Sequence, residues 1–299
     1  MRRALLPALL LSLMVVGAGP SSPDPAAHRR DIEAWRDRRL QSLRREDGWL
    51  TLVGLFWLEK GDNTVGSDPK SRVVLPAGKA PARLATIALD AGGARLTAVP
   101  GETVEIRGKQ VSATPLATDA SGEATVVRRG SLRLYLIERN GRIGVRVKDS
   151  DSAALKSFHG VPSFSIDARW RIEARFEPYV PPKEISVPNV LGSISGEKSP
   201  GALVFKVGGK TCRLDVVTEE GTDDWFVIFG DQTNGRDTYG GGRFLYVTPP
   251  PAGTAPVVDF NKAYNPPCVF SPYATCPLPP SQNRLAVSIE AGEKSYGGH

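Results

Sequence analysis

The chain has 299 residues, 31 of them glycine and 25 proline, and a formal net charge of +6. Punctuation this dense excludes a helical bundle or a coiled coil and fits many short strands joined by turns. With 40% hydrophobic and 23% charged residues, composition also excludes a disordered chain and a multispanning membrane protein.

Residues 1–19 read as a secretory signal. Arg2-Arg3 precede the apolar run Ala4–Val16, and Gly17-Ala18-Gly19 offer small residues for cleavage. That run is too short for a transmembrane helix, which needs about 20 residues. The expectation is an exported protein, periplasmic or secreted, with no transmembrane anchor in its mature chain. Residues 20–46 are a Pro/Ser linker followed by a helix over Asp31–Arg45, ended by Asp47-Gly48. Its arginines, among them Arg36, Arg38 and Arg39, read as a solvated helix face, or as a basic stripe for phosphate or an anionic membrane surface. Neither zinc-finger spacing nor an RNA-binding aromatic run is present, so nucleic acid is not an expected partner.

Strands follow at short intervals. Trp49–Leu58 reads as a buried strand. Shorter runs come after it at 72–75, 83–89, 94–99, 103–107, 124–127, 132–139 and 142–147. Asn140-Gly141 between two alternating runs is a strong hairpin signal. Residues 47–148 are therefore expected to form a β-sandwich and 149–164 a connector. A second, Gly/Pro-rich β module spans 165–299, with strands near 170–176, 203–207, 211–217, 225–229, 243–247, 257–259 and 285–290. The stretch Pro178–Pro188 is expected to cross the surface between elements.

Chemistry-bearing residues are few. His28 falls in the linker and His299 at the end, so His159 is the histidine expected in a folded site. No metal centre and no cofactor is implied. Gly192–Gly196 has Ile194 at its centre, which is not a nucleophile elbow. The best constellation lies in the second module. Tyr239-Gly-Gly-Gly-Arg243 allows close backbone approach beside a guanidinium, and reads equally as a hairpin loop. Asp259, Asn261, Tyr264 and Asn265 offer carboxylate, amide and phenol groups at a strand end, or serve as turn caps before Pro266-Pro267. With Asn283 and Arg284 they form a candidate rim for a small polar or anionic ligand. Cys268 and Cys276 read as a disulfide in an exported chain, as a catalytic thiol near a cation, or as inert thiols. Cys212, inside an alternating run, reads as a buried hydrophobe.

The segments Asp47–Leu58, Trp170–Pro178, Thr238–Tyr246 and Asp259–Phe270, the last continuing through Tyr273–Pro280, Asn283-Arg284 and Ala291–Glu293, are together similar to DUF1684, a bacterial family of unknown function. The resemblance covers about residues 40–295 and implies no activity. Separately, Leu58–Gly61, Thr64–Ser67 and Val73–Leu75 resemble the opening of a forkhead-associated (FHA) β-sandwich. Ser67 stands where a phosphothreonine-reading arginine would be, so phosphopeptide recognition is not implied. Three functions stay open: a binding protein for a small polar or anionic ligand, a hydrolase using Cys268/Cys276 or an Asp259/Tyr264 pair, and a cell-envelope interaction module.

Overall fold

A computed structural model describes residues 24–297; the expected signal segment, 1–19, lies outside the described residues. The first element is a helix over Pro25–Arg44, which starts six residues before the expected one. The side chain of Asp24 accepts a hydrogen bond from the Ala26 amide, and Pro25 occupies the first turn, where its missing N–H is not needed. Much of the presumed linker is thus helix. This helix buries His28, Ile32 and Leu43. Among the described residues no helix is long and apolar enough to cross a membrane.

The protein is mainly β. A six-stranded sheet runs in the spatial order Leu52–Trp57, Arg142–Asp149, Leu132–Arg139, Val127–Arg129, Val104–Ile106 and Lys109–Val111. A five-stranded sheet runs Val73–Val74, Gly61–Gly66, Ala85–Asp90, Gly93–Ala98 and Ala113–Leu116. Val65, Ile87 and Leu96 of the second sheet share one apolar core with Leu134, Leu136, Val145 and Val147 of the first, which makes the pair a sandwich. The hairpin at Asn140-Gly141 forms as expected. Both residues sit at positive φ, 53° and 71°, and Arg139 faces Arg142 across the turn.

A second five-stranded sheet runs Arg175–Pro188, Ile194–Val207, Lys210–Thr218, Trp225–Phe229 and Arg243–Val247. Here two expectations are corrected. Pro178–Pro188 does not cross the surface as a connection; it belongs to the edge strand and pairs with Ile194–Val207, with a register shift between Pro178 and Lys183. An edge tolerates prolines because one side of the strand needs no amide donor. Conversely, 285–290 is not a strand. Leu285, Val287 and Ile289 do alternate into the core, but their backbone bonds run to the turn Gly230–Gln232 rather than to a strand.

Both faces of this sheet are covered. Val227, Phe229, Leu245 and Val247 point into a core closed by Phe260, Leu285 and Ile289. Phe226, Ile228 and Phe244 point the other way, toward Leu52 and Trp49 at the start of the sandwich. The two β modules therefore meet across this second face, and the N-terminal helix flanks the junction.

Candidate functional site

Strand alternation decides the fate of the expected site residues. Arg243 shares a face with Leu245 and Val247, so it enters the closed core, and its side chain is fully buried. Its guanidinium pairs with Asp231 at 2.8 Å and donates to the carbonyls of Ile289 (2.9 Å) and Ala291. Arg243 is a structural clamp on the C-terminal segment and is not available as an anion donor. Gly242, at φ +89°, belongs to the same packing. A Cβ there would stand 2.6 Å from the Phe229 carbonyl and would also run into Pro279 Cγ. The glycine run makes room for the protein's own chain, and the hairpin reading holds over the ligand reading.

The Asx residues resolve similarly. Asn261 bonds Asp167 through both ends of its amide, at 3.0 and 2.9 Å. Asn283 bridges Asp215 and the Ile228 carbonyl. Asn265 is buried and donates to the Lys294 carbonyl. Asp259 caps a short turn through Asn261 and accepts from, or pairs with, His28 at 2.7 Å. So the histidine held in the fold is His28, whereas His159 is exposed. Its place follows from the helix beginning at Pro25, which carries His28 onto the second module. Arg284 is exposed. The expected rim does not assemble; its members staple separate loops to one another.

Tyr264 alone of that set faces a cleft. This cleft, about 650 Å³, opens where the helix, the sandwich and the second sheet meet. Phe226, Phe244 and Tyr246 form its aromatic wall with Tyr264. Phe226 and Phe244 meet edge to face at 4.9 Å, and the Tyr246 and Tyr264 rings stack at 6.3 Å and 16°. Burial raises the Tyr264 phenol well above its ordinary pKa and raises that of Tyr246, so both are neutral donors. Arg39 of the helix lies 4.6 Å over the Tyr264 ring and is held by Glu293 at 3.1 Å. Arg39 is thus drawn inward, contrary to its reading as part of a solvated face.

The sandwich contributes Arg146 and Arg139. Arg139 pairs with Asp119 at 2.8 Å. Arg146 differs. It is 6% exposed and donates from Nη2 to Thr275 Oγ1 at 2.9 Å, while its Nε has no partner. Among the described residues it makes no ion pair. Its guanidinium lies 5.3 Å from the centre of the Trp49 ring. The position follows from a period of two: Val145 and Val147 fill the sandwich core, so Arg146 and Lys148 face the second module. Lys148 is buried beside Trp49, and burial lowers its pKa to about 8. Across the cleft stand two carboxylates. Glu219 accepts from the Tyr246 hydroxyl at 2.5 Å, and Glu197 accepts from the Ser195 hydroxyl at 2.8 Å.

The cysteines are free thiols, not a disulfide. They are nevertheless neighbours: the Cys268 amide donates to Cys276 Sγ at 3.1 Å. A hydrogen bond from the Cys276 thiol, helped by the Tyr239 hydroxyl, brings Cys268 down to about 7 against the opposing effect of burial. The same pairing pushes Cys276 up, so it stays protonated. Cys276 is the one that lines the cleft. Tyr239 thereby has a role, beside a thiol rather than beside a ligand. Cys212 is buried as expected.

Residues 156–294 match the DUF1684 family model, a protein of unknown function. The resemblance read from the sequence is borne out over that span; the helix and the sandwich lie outside it. The DUF1684 span supplies the aromatic wall, both carboxylates and the cysteine pair. Arg39, Trp49, Arg139 and Arg146 come from the preceding part of the chain. A solved structure of an uncharacterized protein from Haloarcula marismortui, determined by NMR, is 29% identical, with a TM-score of 0.40. The match covers 46% of this chain and 78% of that one. No curated protein matches. These matches do not carry the FHA likeness of the sandwich.

Sequence reasoning missed Arg146, Glu197, Glu219, Phe226 and Tyr246. One signal was available: Val145-Arg146-Val147-Lys148 alternates within a run expected to be a strand. Only the fold shows that the charged face of this strand is covered.

Proposed function

We propose that this protein binds a small anionic ligand in the cleft between its two β modules, with Arg146 as the anchoring donor. The observation that carries this reading is the buried Arg146 guanidinium: it lines a cleft of about 650 Å³ and its Nε has no hydrogen-bond partner. A buried donor left unpaired costs about 1–3 kcal/mol; the Nε atoms of Arg36 and Arg243 are unpaired as well, and Arg146 is the one of these three that lines this cleft. A guanidinium held at one nitrogen by Thr275 offers its remaining edge to a carboxylate or phosphate. The test is a titration of the wild type and Arg146→Met with benzoate and with inorganic phosphate, followed at the Trp49 indole by NMR. Saturable shifts in the wild type that vanish in the variant support the reading. Equal response of the two proteins refutes it.

The hydrolase alternative draws on the lowered pKa of Cys268, about 7. It is the weaker reading, because the thiol facing the cleft is Cys276, the one held protonated. Export after cleavage near residue 19 is part of the proposal. It rests on the N-terminal sequence and is tested by N-terminal sequencing of protein recovered outside the cytoplasm.

A further inference from the structure

Resting on that reading, we infer that the ligand is a zwitterion: an anionic group at Arg146 and an ammonium at the other end, separated by an apolar or aromatic middle. The inference comes from the charges facing the cleft that have no partner of their own. Arg39 and Arg139 line it too, but Glu293 and Asp119 already neutralise them. Arg146 then remains on the sandwich side. Glu197 and Glu219 remain on the side of the second sheet, and neither makes an ion pair among the described residues. A purely anionic ligand would bring a second negative charge toward these two carboxylates. A ligand with an ammonium at that end satisfies both walls.

Two further features fit. Each carboxylate is oriented by a neutral hydroxyl, Tyr246 at 2.5 Å for Glu219 and Ser195 at 2.8 Å for Glu197. This leaves the charge in place and an oxygen free to accept. The same cleft is lined by Phe226, Phe244, Tyr246 and Tyr264, an aromatic surface that suits an apolar spacer and a cation.

Three matched probes test this by calorimetry on the full chain. 4-(2-Aminoethyl)benzoate carries both charges, 4-ethylbenzoate lacks the ammonium, and 2-phenylethylamine lacks the carboxylate. The zwitterion should bind about tenfold tighter than either single-charge probe, the gain of one charge-assisted contact. In Glu197→Gln/Glu219→Gln its advantage over 4-ethylbenzoate should disappear, with 4-ethylbenzoate binding unchanged or tighter. Arg146→Met should weaken both carboxylate probes alike. If 4-ethylbenzoate binds through Arg146 at least as tightly as the zwitterion, the inference falls and the anion reading stands. If neither carboxylate probe binds the wild type, or Arg146→Met changes nothing, both fall.

Discussion

Arg243→Met separates a structural arginine from a ligand-binding one. In the native protein the guanidinium faces Asp231 Oδ2 at 2.8 Å and three main-chain carbonyls, those of Ile289, Ala291 and Glu293. Methionine fills much of the volume but donates nothing. Asp231 keeps its bonds from the Thr233 amide and hydroxyl at 2.8 and 2.6 Å and from the Ile289 amide at 3.2 Å, so its charge stays buried. Each orphaned acceptor would cost about 1–3 kcal/mol if nothing relaxed. Removing one partner of a buried pair costs about 3–5 kcal/mol, because the charge that remains is buried and uncompensated. At about 2–4 °C per kcal/mol for a domain of this size, the melting temperature should fall by about 6–20 °C. Arg243→Lys keeps the charge and loses the planar fork, and should fall between the variant and the wild type. Differential scanning calorimetry reads the effect. A loss under about 1 kcal/mol for Arg243→Met would refute the clamp and return Arg243 to the ligand-binding role expected from its glycine-flanked setting.

Gly242→Ala should destabilise by about 2–4 kcal/mol, since the new methyl meets a carbonyl and a proline ring at a left-handed φ; urea unfolding with a change under about 0.5 kcal/mol would contradict this. Alkylation of native protein by iodoacetamide should show a midpoint near pH 7 at Cys268, moving up in Tyr239→Phe and further in Cys276→Ala, as the donors to the thiolate are removed. A wild-type midpoint at or above about 8.5 counts against the pairing of these thiols. Lys148 titrates at about 8 in the fold against 10.5 in the unfolded chain, so between those values the unfolded chain binds more protons and stability should rise with pH. Relative to Lys148→Met, and allowing for partial solvent screening, the wild type should gain about 1–2 kcal/mol from pH 7 to 10.5; a pH-independent difference would refute the buried ammonium.

Much of the fold was legible because strands announce themselves locally. The runs at 132–139, 225–229, 243–247 and 257–259 coincide with strands at both ends, since alternation and turn residues act within a few positions. The helix start was missed because its Pro/Ser-rich approach looked like a linker, while Asp24 and Pro25 were in fact cap and first turn. The strand at Arg175–Pro188 was missed because proline argues against a strand unless the strand is known to be an edge.

The sequence by itself determined the β-rich class, the hairpin at Asn140-Gly141 and the resemblance to DUF1684 over the C-terminal span. Tertiary structure alone decided the site. Arg243, Asn261, Asn265 and Asn283 look like ligand donors in one dimension, but their partners are Asp231, Asp167, Lys294 and Asp215, distant in sequence or visible only once the loops close. Arg146 and Glu219 looked unremarkable, and became a cleft because the outer face of a sandwich strand is laid against the aromatic face of a second sheet. Local pattern fixes which side of a strand a residue occupies; only long-range packing fixes whether that side meets solvent, a closed core or a cavity.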